Sequence, residues 1–124
     1  MGRPYRIVVG FDGSDAARRA LDRAVGLAGY GSRLRVVYVA EGAGSERGDE
    51  LLAEAERRLA EERVYGEAVE RVGNPTDQLI AAALEMQADL LVVGNGKSAA
   101  ERLRSGSVST ALVHRAPCDV LVAR

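Results

Sequence analysis

Short β-branched runs and longer stretches of helical periodicity alternate four times along this chain, which then closes on a fifth β-rich run. Ile7-Val8-Val9 is apolar without a polar alternate and stops at Gly10, as expected of a strand covered on both faces. Ser14 caps a helix in which Ala17, Ala20, Leu21, Ala24, Val25 and Ala28 recur at helical spacing until Gly29. Leu34–Val39 is the second strand, and Leu51, Leu52, Ala55 and Leu59 form the apolar stripe of the second helix. On that helix Glu54 is placed to face Arg58, and Arg57 to face Glu61, as a solvated surface. Glu67–Val72 is polar enough for a sheet edge. Asn74 and Pro75 open a third helix with Leu79, Ile80, Ala83 and Leu84 as its buried face. Leu90–Val93 repeats the fully apolar pattern and ends at Gly94. A helix over about Ser107–Arg115 then leads to Val120-Leu121-Val122.

This βαβαβαβαβ order requires a parallel sheet with helices on both faces, because right-handed crossovers return each strand beside an earlier one. At 124 residues, without linker or repeat, the chain is expected to form one doubly wound α/β domain over 1–124. Ligands of such sheets bind beyond the carboxyl ends of the central strands. The two most apolar strands, the first and the fourth, end in the chain's unusual loops: Gly10-Phe11-Asp12-Gly13-Ser14, and Gly94-Asn95-Gly96-Lys97-Ser98 through Ser105-Gly106-Ser107.

The second loop has the chemistry of an anion site. Gly94, Gly96 and Gly106 permit positive φ and close backbone approach, and Gly106-Ser107 stands at a helix start where unpaired N–H groups favour phosphate. Ser107 and Ser109 add hydroxyls, and Lys97, the only lysine, adds a cation. A P-loop would need its first glycine where Leu91 stands inside a strand. The dinucleotide fingerprint is met by Gly94 to Ala99, but in the wrong βα unit.

Three stretches resemble the universal stress proteins: Ile7 to Ser14, Ala88 to Gly94, and Gly106 to Val122. The nucleotide-binding members of that family carry G-x2-G-x9-G-[ST]. Here Gly96, nine residues and Gly106-Ser107 match its second half, while Gly94-Asn95-Gly96 makes the first gap one residue short. Alternatively Lys97 takes the second glycine's place and a residue is lost later. The resemblance implies a flavodoxin-like (Rossmann-like) five-stranded sheet of order 3-2-1-4-5. It also implies binding of ATP or a related adenine nucleotide, with or without Mg²⁺. Carried across, Gly10 belongs to the first loop, Asp12 bonds the nucleoside, and the backbone of Val39 meets the adenine edge. Gly94, Asn95, Gly96 and Gly106 line the phosphates, Ser107, Val108 and Ser109 donate from the helix start, and Lys97 compensates for the shortened loop. The family also implies a homodimer through the last strand, where Val120-Leu121-Val122 would otherwise be an exposed apolar edge.

Net charge is −1 with 17 basic and 18 acidic residues, so no basic field draws the chain to nucleic acid or an anionic membrane. Aromatics, at 4%, are too sparse to stack single-stranded bases. One Cys and one His exclude a disulfide framework or a His/Cys metal cluster within a chain. Cys118, bordering an apolar strand, reads as an unreactive buried thiol, and His114 as a cation near a helix C-terminus. The opening residues form neither a signal peptide nor a membrane span, and a cytoplasmic location is expected. Asp12 lacks a partner acid or nucleophile, so at most slow ATP hydrolysis or self-phosphorylation is expected. The alternative is a nucleotide-free dimeric stress protein acting through protein contacts. A phosphoacceptor receiver domain, of similar sheet order, would need an acid after the third strand, where Val72-Gly73-Asn74 has none.

Overall fold

Ile7, Val8 and Val9 have no solvent exposure at all, and neither do Leu91 and Val92. In a computed structural model of the chain, which describes residues 3–29, 31–40, 42, 46–95 and 108–124, these residues lie on adjacent central strands. The elements run β1 (Arg6–Gly10), α1 (Asp15–Leu27), β2 (Arg33–Ala40), α2 (Glu46–Glu61), β3 (Gly66–Val72), α3 (Pro75–Met86), β4 (Leu90–Gly94), α4 (Val108–Arg115) and β5 (Asp119–Ala123). Every strand pair is parallel and the sheet order is β3-β2-β1-β4-β5, as expected from the sequence.

That order moves the chain outward from β1 to β3, returns it across the sheet to β4, and moves it outward again to β5. The helices therefore divide between the faces. Ile7, Val9, Leu34, Val36 and Val92 pack under α1 and α2, against Ala20, Leu21, Ala24, Leu51, Ala55 and Leu59. Val8, Val37, Leu91 and Val93 pack on the other face under Leu79 and Ala82 of α3 and Leu112 of α4. Each such apolar side chain removed from water contributes about 1.5–3 kcal/mol, which makes these two layers the main driving force of the fold.

Local chemistry sets the helix ends. Ser14 Oγ accepts from the Ala17 amide at 3.1 Å and caps α1. Asn74 Oδ1 accepts from the Asp77 amide at 3.1 Å, with Pro75 at the first helical position of α3. Leu84 departs from expectation: it is 59% exposed, while Ala82 is buried. At about 100° per residue Leu84 lies roughly 140° round the helix from Leu79, beyond the arc that meets the sheet. The surface of α2 differs too. Glu54 and Arg58 are half-buried and turned toward α1, where Arg18 binds both oxygens of Glu54 at 2.7 and 2.9 Å and Arg58 Nε binds Asp22 at 3.0 Å.

Candidate functional site

The two central strands part company at their carboxyl ends. Beyond β1, the Phe11 amide donates to the Val37 carbonyl at 2.9 Å, continuing the ladder toward β2. Beyond β4, the Asn95 amide donates to Ala123 at 2.9 Å, toward β5. Neighbours that bond outward in opposite directions leave a crevice between them, at the point where the strand order reverses. A cleft of about 720 Å³ opens there, within the range of roughly 300–1,000 Å³ usual for small-molecule sites.

Its floor and walls come from seven elements, including Ala16 and Ala17 of α1. Gly10, Phe11, Asp12 and Ser14 follow β1, and Val37, Tyr38 and Val39 close β2. Val93, Gly94 and Asn95 end β4, and Val108 and Ser109 begin α4. Pro75 and Leu79 reach in from α3, and Arg47 from the start of α2. Of the residues expected to form a site, Gly10, Asp12, Val39, Gly94, Asn95, Val108 and Ser109 are thus brought together. Gly96, Lys97, Gly106 and Ser107 lie outside the described residues.

Asp12 is held by the turn it sits in. Its Oδ1 accepts from the Ser14 amide at 2.9 Å, a local bond of the kind that fixes Asx turns. A carboxylate has about four acceptor sites on two oxygens, so this turn bond is compatible with a second partner. Gly13 completes the turn at φ +81°, where a Cβ would stand 2.5 Å from Leu51 Cδ2. Gly94 lines the cleft and also has a packing role that the sequence did not announce. It is not in the left-handed region, and a Cβ there would lie 2.5 Å from the Ala16 carbonyl carbon and oxygen. Its missing side chain lets the first turn of α1 lie directly against β4, which carries the amides of that turn to the cleft.

Three contributions escaped the sequence reading. Pro75 and Leu79 are recognisable as the start of α3, but their approach to β1 follows from the crossover. Arg47 gives no local signal at all. Its Nη2 reaches the Asp12 carbonyl at 3.5 Å, and Asp12 and Arg47 are the two formally charged residues among the described ones lining the cleft. Cys118 precedes β5 at the other end of the sheet, and burial, with Asp119 and Asp89 adding to it, pushes its thiol pKa up. Among the described residues no group of three His, Cys, Asp or Glu side chains is placed to hold a metal ion, and no helix is long and apolar enough to cross a membrane.

Residues 5–124 match the family model of the universal stress proteins. The chain belongs to that family. A universal stress protein of Thermus aquaticus is 35% identical over 133 residues, spanning 95% of this chain and 97% of the relative. Another, from Methanothermobacter thermautotrophicus, is 37% identical over 83 residues, 64% of this chain and 57% of the relative. Among solved structures, a universal stress protein in complex with cAMP superposes with a TM-score of 0.84 at 32% identity, covering 99% of both chains. The universal stress protein of Archaeoglobus fulgidus in complex with dAMP gives 0.74 at 25% identity, covering 99% of this chain and 98% of that one. The doubly wound sheet of this chain is therefore the fold of its family.

Proposed function

We propose that this universal stress protein binds an adenine nucleotide in the cleft between β1 and β4 and acts as a regulatory protein whose state depends on occupancy. The observation that carries this reading is the convergence of a fixed carboxylate and two helix starts on one crevice of nucleotide size. Asp12 accepts from ribose hydroxyls, and the backbone at Val39 meets the base edge. Gly94 and Asn95, the start of α4 at Val108 and Ser109, and the Gly96, Lys97, Gly106 and Ser107 positions of the shortened glycine pattern receive the phosphates, because helix-start amides favour anions. Solved structures of relatives in complex with cAMP and with dAMP support the choice of adenine. ATP fits the same scheme with its phosphates extended along the glycine pattern. Magnesium enters only as the phosphates' counter-ion, since Asp12 is the one carboxylate among the described residues lining the cleft.

The whole chain, 1–124, acts as one domain in this reading. Of its two sheet edges, β3 carries Glu67, Glu70 and Arg71, charges that discourage pairing, whereas β5 offers Val120-Leu121-Val122. That contrast supports a homodimer through β5. The nucleotide-free dimer remains a competing reading because the first glycine gap is one residue short.

The test is direct. Denaturing the purified protein and examining the supernatant by absorbance and mass reveals any adenine nucleotide carried through purification. Titration calorimetry with AMP, cAMP and ATP, on the wild type and on Gly106→Val, covers an empty preparation. Heat in the wild type, reduced in the variant, is expected. No released nucleotide and no heat with any of the ligands would sink the reading in favour of the nucleotide-free protein.

A further inference from the structure

The cleft carries a charged residue that neither the glycine pattern nor the turn chemistry explains. Arg47 stands in the first turn of α2, and its side chain is exposed at the rim. It extends over the β1–α1 turn. Its Nη2 lies 3.5 Å from the Asp12 carbonyl, and a Cβ on Gly13 would be 3.4 Å from the same nitrogen. A contact of 3.5 Å is at the outer limit of a hydrogen bond, so it occupies little of a guanidinium with five N–H donors. Among the described residues no carboxylate oxygen lies within ion-pair distance of Arg47, as is also true of Arg19, Arg23, Arg57 and Arg63, but of these only Arg47 lines the cleft.

Its position within the cleft decides what it can meet. Phe11 is bonded to β2 through Val37, so the Asp12–Gly13 turn beneath Arg47 belongs to the β1–β2 side, with Tyr38 and Val39. The start of α4, with Val108 and Ser109, follows β4 on the opposite side. A guanidinium is planar, weakly hydrated and prone to lie flat on an aromatic face. Given the nucleotide reading above, on which this inference rests, we infer that Arg47 closes the base end of the site by stacking over the purine while its long contact to Asp12 sets its approach. Recognition at this end is then independent of phosphate number. The residue's ligand is the nucleoside portion, and adenosine alone engages it.

The experiment compares adenosine and AMP by titration calorimetry on wild type, Arg47→Met and Arg47→Lys, with thermal unfolding as a check that the exposed substitutions leave the fold intact. Arg47→Met is expected to weaken both ligands by the same factor, about five- to tenfold, leaving the ratio of their affinities unchanged. Arg47→Lys keeps the charge and a donor for the Asp12 carbonyl but loses the plane, and is expected not to restore binding. Loss confined to AMP would reassign Arg47 to the phosphate and overturn the inference. So would full recovery in Arg47→Lys, or unchanged affinity in Arg47→Met. A wild type that binds ATP but neither adenosine nor AMP overturns this inference alone, whereas one that binds none of these, nor cAMP, removes the nucleotide reading itself and this inference with it.

Discussion

Gly94 shows how one residue type serves a purpose that its sequence context does not announce. Standing at the end of an apolar strand and before a Gly/Ser loop, it is conspicuous in the sequence as a phosphate-loop glycine. In the fold, the missing Cβ makes room for backbone: a methyl would meet the Ala16 carbonyl carbon and oxygen at 2.5 Å and the Ala16 Cβ at 2.9 Å. Backbone atoms of a packed helix cannot rotate away as a side-chain tip can, so Gly94→Ala is an overpacking substitution. It is expected to lower stability in urea by about 1–3 kcal/mol. An unchanged urea midpoint would show that α1 does not approach β4 this closely. Gly13 is the other demanding position, and here the conformation (φ +81°) requires glycine, while a Cβ would also oblige the tip of Leu51 to move. Its role was hidden because the contacting leucine comes from α2, far along the chain. Asp12, by contrast, was legible as a turn residue, and its bond to the Ser14 amide is the turn-capping one.

Elements were readable where burial is decided by the chain's own periodicity. The two-sided apolar runs of β1 and β4, the polar edge strand β3 and the caps at Ser14 and Asn74 all lie where local patterns placed them. What a helix face touches was not readable, and α2 is the example. Its alternating charges look like a solvated surface stabilised along the helix, yet Glu54 turns to α1 because Arg18 projects into the groove between the two. The Arg18 guanidinium, by hydrogen bond more than by simple charge, holds the Glu54 carboxyl below its usual range against the opposing effect of burial. A carboxylate depressed in the folded state adds stability above its unfolded pKa, about 4.3, and that stability disappears as pH falls through the folded value. Glu54→Gln is therefore expected to unfold at lower urea than wild type at pH 7, with the difference shrinking below about pH 4.3 and vanishing under strong acid. Added salt should narrow the gap, since Arg18 is exposed and Glu54 only half-buried. A gap that persists at pH 2 would assign the effect to packing instead.

At the scale of the molecule, a ligand in the β1–β4 crevice would tie together the ends of the seven elements that line it, so its binding is expected to stabilise the whole fold. At one hundred times its dissociation constant a nucleotide adds about 2.7 kcal/mol. In a domain of this size that raises the melting temperature by about 10 °C. Inorganic phosphate at the same concentration should do far less. Equal shifts from both would show that the site recognises an anion and not a nucleotide. The sequence alone determined the parallel βαβ architecture, the central position of β1 and β4 and the end of the sheet at which the cleft opens. Those follow from short-range periodicity and from which runs are too apolar to face water on either side. Only the tertiary structure decided that Arg47, Pro75 and Leu79 share a cleft with Asp12, that Gly94 accommodates α1, and that α2 pairs its charges across to its neighbour. These depend on how strands bonded outward to β2 and β5 splay apart, a property of the assembled sheet that no stretch of residues carries by itself.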